Sequence, residues 1–127
     1  MREDIGLFRG FETVYEEWKY GFLHADYMIE TKKGRAYFVD KDTISEYAGV
    51  DDKNGTKIFE GDIIKVEYHG WNKGLEGVAA VIFKNGKFGL EWGNKKELVC
   101  FDAFHNVTFE VIGNIYKDAE RAKEMDA

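Results

Sequence analysis

The side chains of this 127-residue chain that could carry chemistry are few and widely spaced. Its one cysteine, Cys100, excludes a disulfide within the chain. Its setting, Leu98-Val99-Cys100-Phe101, is an apolar run in which a thiol is expected to be buried and inert rather than nucleophilic. His24, His69 and His105 fall on different expected elements. None has an i,i+4 companion or a Cys-x-x-Cys neighbour, so they read as surface or capping histidines rather than metal ligands. Glu60 and Asp62 are close enough to divide acid and base roles between them. They flank Gly61 in a turn, however, and a turn employs these residue types without any catalysis. Asp51-Asp52-Lys53-Asn54-Gly55 has the acidic start of a calcium loop but lacks its closing glutamate and flanking helices. No glycine-rich phosphate loop precedes a helix, and no Gly-x-Ser-x-Gly nucleophile motif occurs. The expectation is a protein with no catalytic constellation, no metal and no cofactor.

Binding chemistry is better represented. Lys73, Lys84, Lys87, Lys95 and Lys96 lie near Trp71, Phe88 and Trp92 in sequence, and basic residues interleaved with aromatics are one route to single-stranded nucleic acid. Lysines also solvate hairpin turns and guard strand edges. The net charge of −6 and pI of about 5.1 favour that plainer reading. A protein partner comes first and nucleic acid second. Trp71, in a glycine-flanked loop, is the expected exposed anchor, with Trp92 and Lys73 beside it as candidate partner-binding residues. Exposed strand edges would also allow pairing with a second copy of the chain.

These residues need elements to hold them. The chain is 44% apolar and 16% aromatic, with 14 glycines and no proline, so it can bury a core and must turn on glycine and asparagine. Alternation of Trp18, Tyr20 and Phe22 with Lys19 and Gly21 predicts a strand within 14–23. Tyr27–Thr31 and Arg35–Val39 form an expected hairpin about Lys32-Lys33-Gly34. Ile44–Val50 is a further short stretch. Ile63–Tyr68 reads as a strand with Ile64, Val66 and Tyr68 on one face. Gly77–Phe83 and Lys87–Trp92, joined through Asn85-Gly86, are the clearest hairpin. Glu97–Phe101 and Val107–Ile112 complete the strands. Asp118–Met125 has a capping aspartate and helix formers, which predicts a short surface helix. The fold class expected is mainly β: a small barrel- or sandwich-like core of short antiparallel strands with an N-terminal hairpin extension and a short C-terminal helix. The expected divisions are a hairpin region at about 1–42, a β core at about 43–116 and a helical tail over 117–127.

At the centre lies Lys53-Asn54-Gly55-Thr56-Lys57-Ile58-Phe59-Glu60-Gly61-Asp62-Ile63-Ile64. Asn54-Gly55 supplies one tight turn, Gly61 permits a second, and Asp62 is placed to cap the amides of that second turn. With Tyr47–Val50 ahead of it, this run resembles the YopX-like family of phage and prophage proteins. Phe8-Arg9-Gly10 with Trp18-Lys19-Tyr20-Gly21-Phe22 resembles the family's opening, although Phe11 stands where another aromatic usually follows. Gly77-Val78 with Phe88-Gly89-Leu90 resembles its central hairpin, and Glu110-Val111-Ile112-Gly113-Asn114-Ile115-Tyr116 its closing signature. The resemblance spans nearly the whole chain and makes Asn54, Gly55, Glu60, Gly61 and Asp62 markers of fold. The loop from Tyr68 to Glu76 reads as a variable insertion. The resemblance implies a mainly β fold and a viral or prophage-derived gene, but no activity; it is the exposed strand edges that invite pairing with a second copy or with a phage or host protein. The start at Met1–Leu7 has no signal-type apolar region and no window is long enough to span a membrane, so a cytoplasmic location is expected.

Overall fold

A computed structural model describes residues 6–24 and 27–116. The expected C-terminal helix lies outside the described residues. The chain divides into two compact units at Gly49/Val50. Its strands make two antiparallel sheets, one of six strands and one of five.

The first unit contains β1 (Leu7–Glu12), β2 (Glu17–His24), β3 (Met28–Glu30), β4 (Ala36–Phe38) and most of β5 (Asp40–Asp51). The expected hairpin is present, with Met28 opposite Phe38 and Glu30 opposite Ala36. The strand expected within 14–23 starts only at Glu17, and β1 lies ahead of it, paired from Leu7↔Phe22 to Glu12↔Glu17. Alternation could not reveal β1, because two of its buried residues, Arg9 and Glu12, are charged and each only 5% exposed. The Glu12 carboxylate turns back on the chain, accepting the N–H groups of Val14 and Tyr15 at 2.6 and 2.8 Å. This fixes the turn between β1 and β2. In β5 the inward residues are Thr43, Ser45 and Tyr47, while Ile44 is half-buried. Their hydroxyls are used: Thr43 Oγ1 accepts the Phe11 N–H at 2.8 Å and donates to the Asp40 carbonyl at 2.6 Å.

The second unit contains β6 (Lys57–Phe59), β7 (Asp62–Tyr68), β8 (Glu76–Lys84), β9 (Lys87–Trp92), β10 (Glu97–Val99) and β11 (Val107–Asn114), with short 3-10 turns at Gly70–Asn72 and Phe101–Ala103. The β8–β9 hairpin turns through Asn85 and Gly86, at φ 55° and 78°. Strands β7 to β10 form a meander and β11 returns beside β7. Neither sheet closes on itself, so the barrel alternative is not formed: β10 and β11 are the two ends of the second sheet. The apolar centre consists of Ile58, Phe59, Ile64, Val66, Val81 and Leu90, each at most 2% exposed. On β7 this follows the period-two expectation for Ile64 and Val66, whereas Tyr68 is half-buried. Edge-to-face contacts add a second layer, Trp92 on Phe104 at 5.1 Å and Phe109 against Phe101 and Phe104 at 5.3 and 5.7 Å.

Candidate functional site

The sequence signature assembles into one junction in the second unit. The chain leaves β5 and turns at Asp52, whose buried carboxylate organises the Asn54–Thr56 turn. Its Oδ1 accepts the N–H groups of Asn54 and Thr56, both at 2.9 Å, and its Oδ2 accepts that of Val111, also at 2.9 Å. Val111 stands at a bulge in β11, where the register against β7 slips between Val111 and Gly113. The next residue, Lys53, donates its N–H to the Phe109 carbonyl, and its ammonium lies 3.6 Å from Glu110. Burial pushes the Asp52 carboxyl up, but the three amides and neighbouring Lys53 outweigh that and hold it below the ordinary carboxylate value.

The second turn meets the end of the chain's last strand. Asp62, 1% exposed, accepts the Phe59 N–H at 2.8 Å through Oδ2. Gly61 has φ 87°, and a Cβ there would lie 2.8 Å from the Tyr116 ring. Its carbonyl accepts the Ile115 N–H, and its own N–H donates to the Val81 carbonyl. Asn54 and Gly55 therefore lie in the turn that Asp52 holds, Glu60 and Gly61 in the turn that Asp62 holds, and the closing signature of β11 touches both. One carboxylate oxygen of Asp62 is thus spent on the backbone of the turn. Asp52, which the sequence offers only within an incomplete calcium loop, and Arg9, offered only within the opening motif, have roles that appear first in the structure. The visible signal for Asp52 was the Asp-Lys-Asn-Gly order, an Asx-turn pattern.

The candidate partner-binding residues separate by environment. Trp71 is wholly exposed, at 103% of its reference area, on a loop fixed by backbone hydrogen bonds. Tyr68 N–H donates to Leu75, His69 N–H to Asn106, Lys73 N–H to Gly70 and Leu75 N–H to Asn72. Lys73 is exposed on the same loop and Leu75 is 60% exposed. Trp92 is different: half-buried, with its ring over Gly77, where a Cβ would come within 2.5 Å of it. The five lysines do not form one stripe. Lys84 and Lys87 flank the β8–β9 turn, while Lys73, Lys95 and Lys96 lie toward the opposite end of β9.

Among the described residues no group of three or more His, Cys, Asp and Glu side chains gathers where it could hold a metal ion. Cys100 is half-buried. Among the same residues no helix is long and apolar enough to cross a membrane.

A search of curated proteins finds no match. Among solved structures, the chain is similar to the protein described as EF1440 from Enterococcus faecalis. The identity is 21% and the TM-score 0.56, over 90% of this chain and 95% of that one, a likeness of fold. Residues 8–123 match the family model described as YopX protein, from the opening Phe8-Arg9-Gly10 through the junction of Asp52, Gly61 and Tyr116; the chain belongs to the YopX family.

Proposed function

We propose that this YopX-family chain is a non-enzymatic protein-interaction module, and that Trp71 is the residue its second unit offers to a partner, a protein of the phage or its host. The observation that carries this reading is a fully exposed tryptophan on a backbone-bonded loop. Leaving an indole in water forgoes roughly 1.5–3 kcal/mol of burial available to a large apolar side chain. Trp71 contributes no packing that would explain its presence. Tryptophan is enriched among the residues that dominate interface energies, and a loop already ordered loses little entropy on docking. Leu75 extends the apolar surface and Lys73 adds a charge at its rim.

The test compares the wild-type protein with Trp71→Ala, each immobilised and exposed to extracts of cells in which the phage or prophage is active. Retained proteins are identified by mass spectrometry. The expected result is one or a few proteins held by the wild type, lost from the variant, with an unchanged thermal unfolding midpoint. An identical retained set would overturn the reading. Light scattering on the wild type separates a foreign partner from self-association.

A further inference from the structure

We propose that the outer edge of β4 is a self-association site, at which two copies of the chain pair β4 against β4 about a two-fold axis. The site lies in the first unit and is independent of the Trp71 loop. Strand β4 (Ala36–Phe38) is the end strand of its sheet, which runs β4-β3-β2-β1-β5-β6, so it has a neighbour on one side only. Its odd-numbered residues and those flanking it bond toward β3. Thr31 N–H donates to the Arg35 carbonyl, Ile29 stands opposite Tyr37, and Val39 N–H donates to the Tyr27 carbonyl. The N–H and C=O groups of Ala36 and Phe38 therefore point away from the sheet, and both residues are exposed. Among the described residues no strand pairs with this edge. Natural edges are commonly blunted by lysine, proline or a bulge, and Ala36-Tyr37-Phe38 carries none of these.

The edge fits itself. Antiparallel pairing that sets Ala36 of each copy opposite Phe38 of the other employs both outward residues, each as donor and as acceptor. Neighbouring registers lose half of these bonds. They would set an outward residue against Gly34, which turns at φ 83°, or against Asp40, which already pairs with Phe11 of β1.

Side chains favour the same register. Residues directly opposite share a face, so each Phe38, 67% exposed, lies across an alanine that leaves room for its ring. On the other face the two Tyr37 side chains meet at the axis. Charge is complementary too. The pairing brings Lys32-Lys33-Gly34-Arg35 of one copy toward Asp40-Lys41-Asp42 of the other. Lys32, Lys33, Arg35, Asp40 and Asp42 are exposed and form no ion pair among the described residues. Lys41 turns its ammonium toward the Tyr27 ring of its own chain, 5.9 Å from the centre.

Sedimentation equilibrium of the full chain, over a concentration series reaching about 1 mM, tests the site. The expected result is a monomer–dimer equilibrium. Its dissociation constant should rise about tenfold or more in Ala36→Pro, which removes an outward N–H, and in Phe38→Lys. Neither change touches a bond to β3, so the thermal unfolding midpoints should stay near that of the wild type. Trp71→Ala should leave the equilibrium unchanged. Cross-linking reads the register in a Cys100→Ser background. Tyr37→Cys sets two Cα atoms about 4.5 Å apart across the axis, and oxidised glutathione should join the copies there. Ala36→Cys, whose two copies are offset along the strands beyond disulfide reach, should not be joined. A monomer throughout the series, a dimer unaffected by Ala36→Pro and Phe38→Lys, or cross-linking of Ala36→Cys in preference to Tyr37→Cys would each overturn the pairing. Loss of the dimer in Trp71→Ala would also overturn it and place self-association on the loop.

Discussion

The Asp52 carboxylate accepts the Val111 N–H at 2.9 Å although the two residues are 59 positions apart. It thereby joins the turn after β5 to the bulge of β11. A neutral side chain of the same shape cannot do this, because its amide group would set a donor against one of the three N–H groups. Asp52→Asn should cost about 1–3 kcal/mol of stability, the penalty for leaving a buried donor unsatisfied. Urea unfolding of the two proteins at neutral pH measures the difference.

The same carboxylate predicts how stability responds to acid. Its folded-state pKa is lowered from the ordinary 3.8, so its contribution is fully present above that value and is lost as pH falls through the lower, folded one. The gap in urea midpoint between wild type and Asp52→Asn should therefore be constant from pH 7 to about 5 and shrink below pH 4. A gap that stays constant to pH 2 would show that Asp52 is not the group being protonated.

Gly61→Ala tests the contact between the two signature motifs. Left-handed backbone at φ 87° costs a residue with a Cβ about 1–2 kcal/mol, and the new atom would also meet the Tyr116 ring at 2.8 Å. Removing the ring in Gly61→Ala/Tyr116→Ala should relieve the steric part and leave the backbone part. The double variant should therefore lose less stability than the sum of the two single changes. Thermal unfolding of all four proteins provides the cycle.

What could be read from the sequence depended on which residues occupy the buried faces. The β8–β9 hairpin was legible because Asn85-Gly86 fixes the turn and Val81 and Leu90 alternate cleanly into the core. Strand β1 and the length of β5 were not, because their inward faces carry Arg9, Glu12, Thr43 and Ser45, which a hydropathy pattern assigns to solvent. The signature turns were legible from glycine and asparagine, but the residue that closes both sides of the first turn was not. Its partner Val111 is reached only through tertiary structure.

Arg9 shows what such an inward polar residue does. Its Nε donates to Ser45 Oγ at 3.0 Å, and its guanidinium lies 4.7 Å from the centre of the Trp18 ring. The planar group both stacks and donates, and a lysine ammonium cannot match that geometry. Arg9→Lys keeps the charge and should still cost about 1–2 kcal/mol. Circular dichroism of thermal unfolding should show the loss, together with a change in Trp18 emission.

Trp71 and Trp92 give opposite expectations for the same substitution. Trp71 is fully exposed, so Trp71→Ala should change stability by no more than about 0.5 kcal/mol. Trp92 packs on Gly77 and edge-on to Phe104 at 5.1 Å, so Trp92→Ala should cost about 2–4 kcal/mol. Fluorescence separates them independently of stability, since the chain has 3 tryptophans and the other two are half-buried. Trp71→Ala should remove the most red-shifted and most iodide-quenchable part of the emission, and Trp92→Ala a bluer, shielded part. A partner that docks on the loop should then shift the emission of wild type and Trp92→Phe to the blue but leave that of Trp71→Ala unchanged, because the indole moved out of water is the one at position 71.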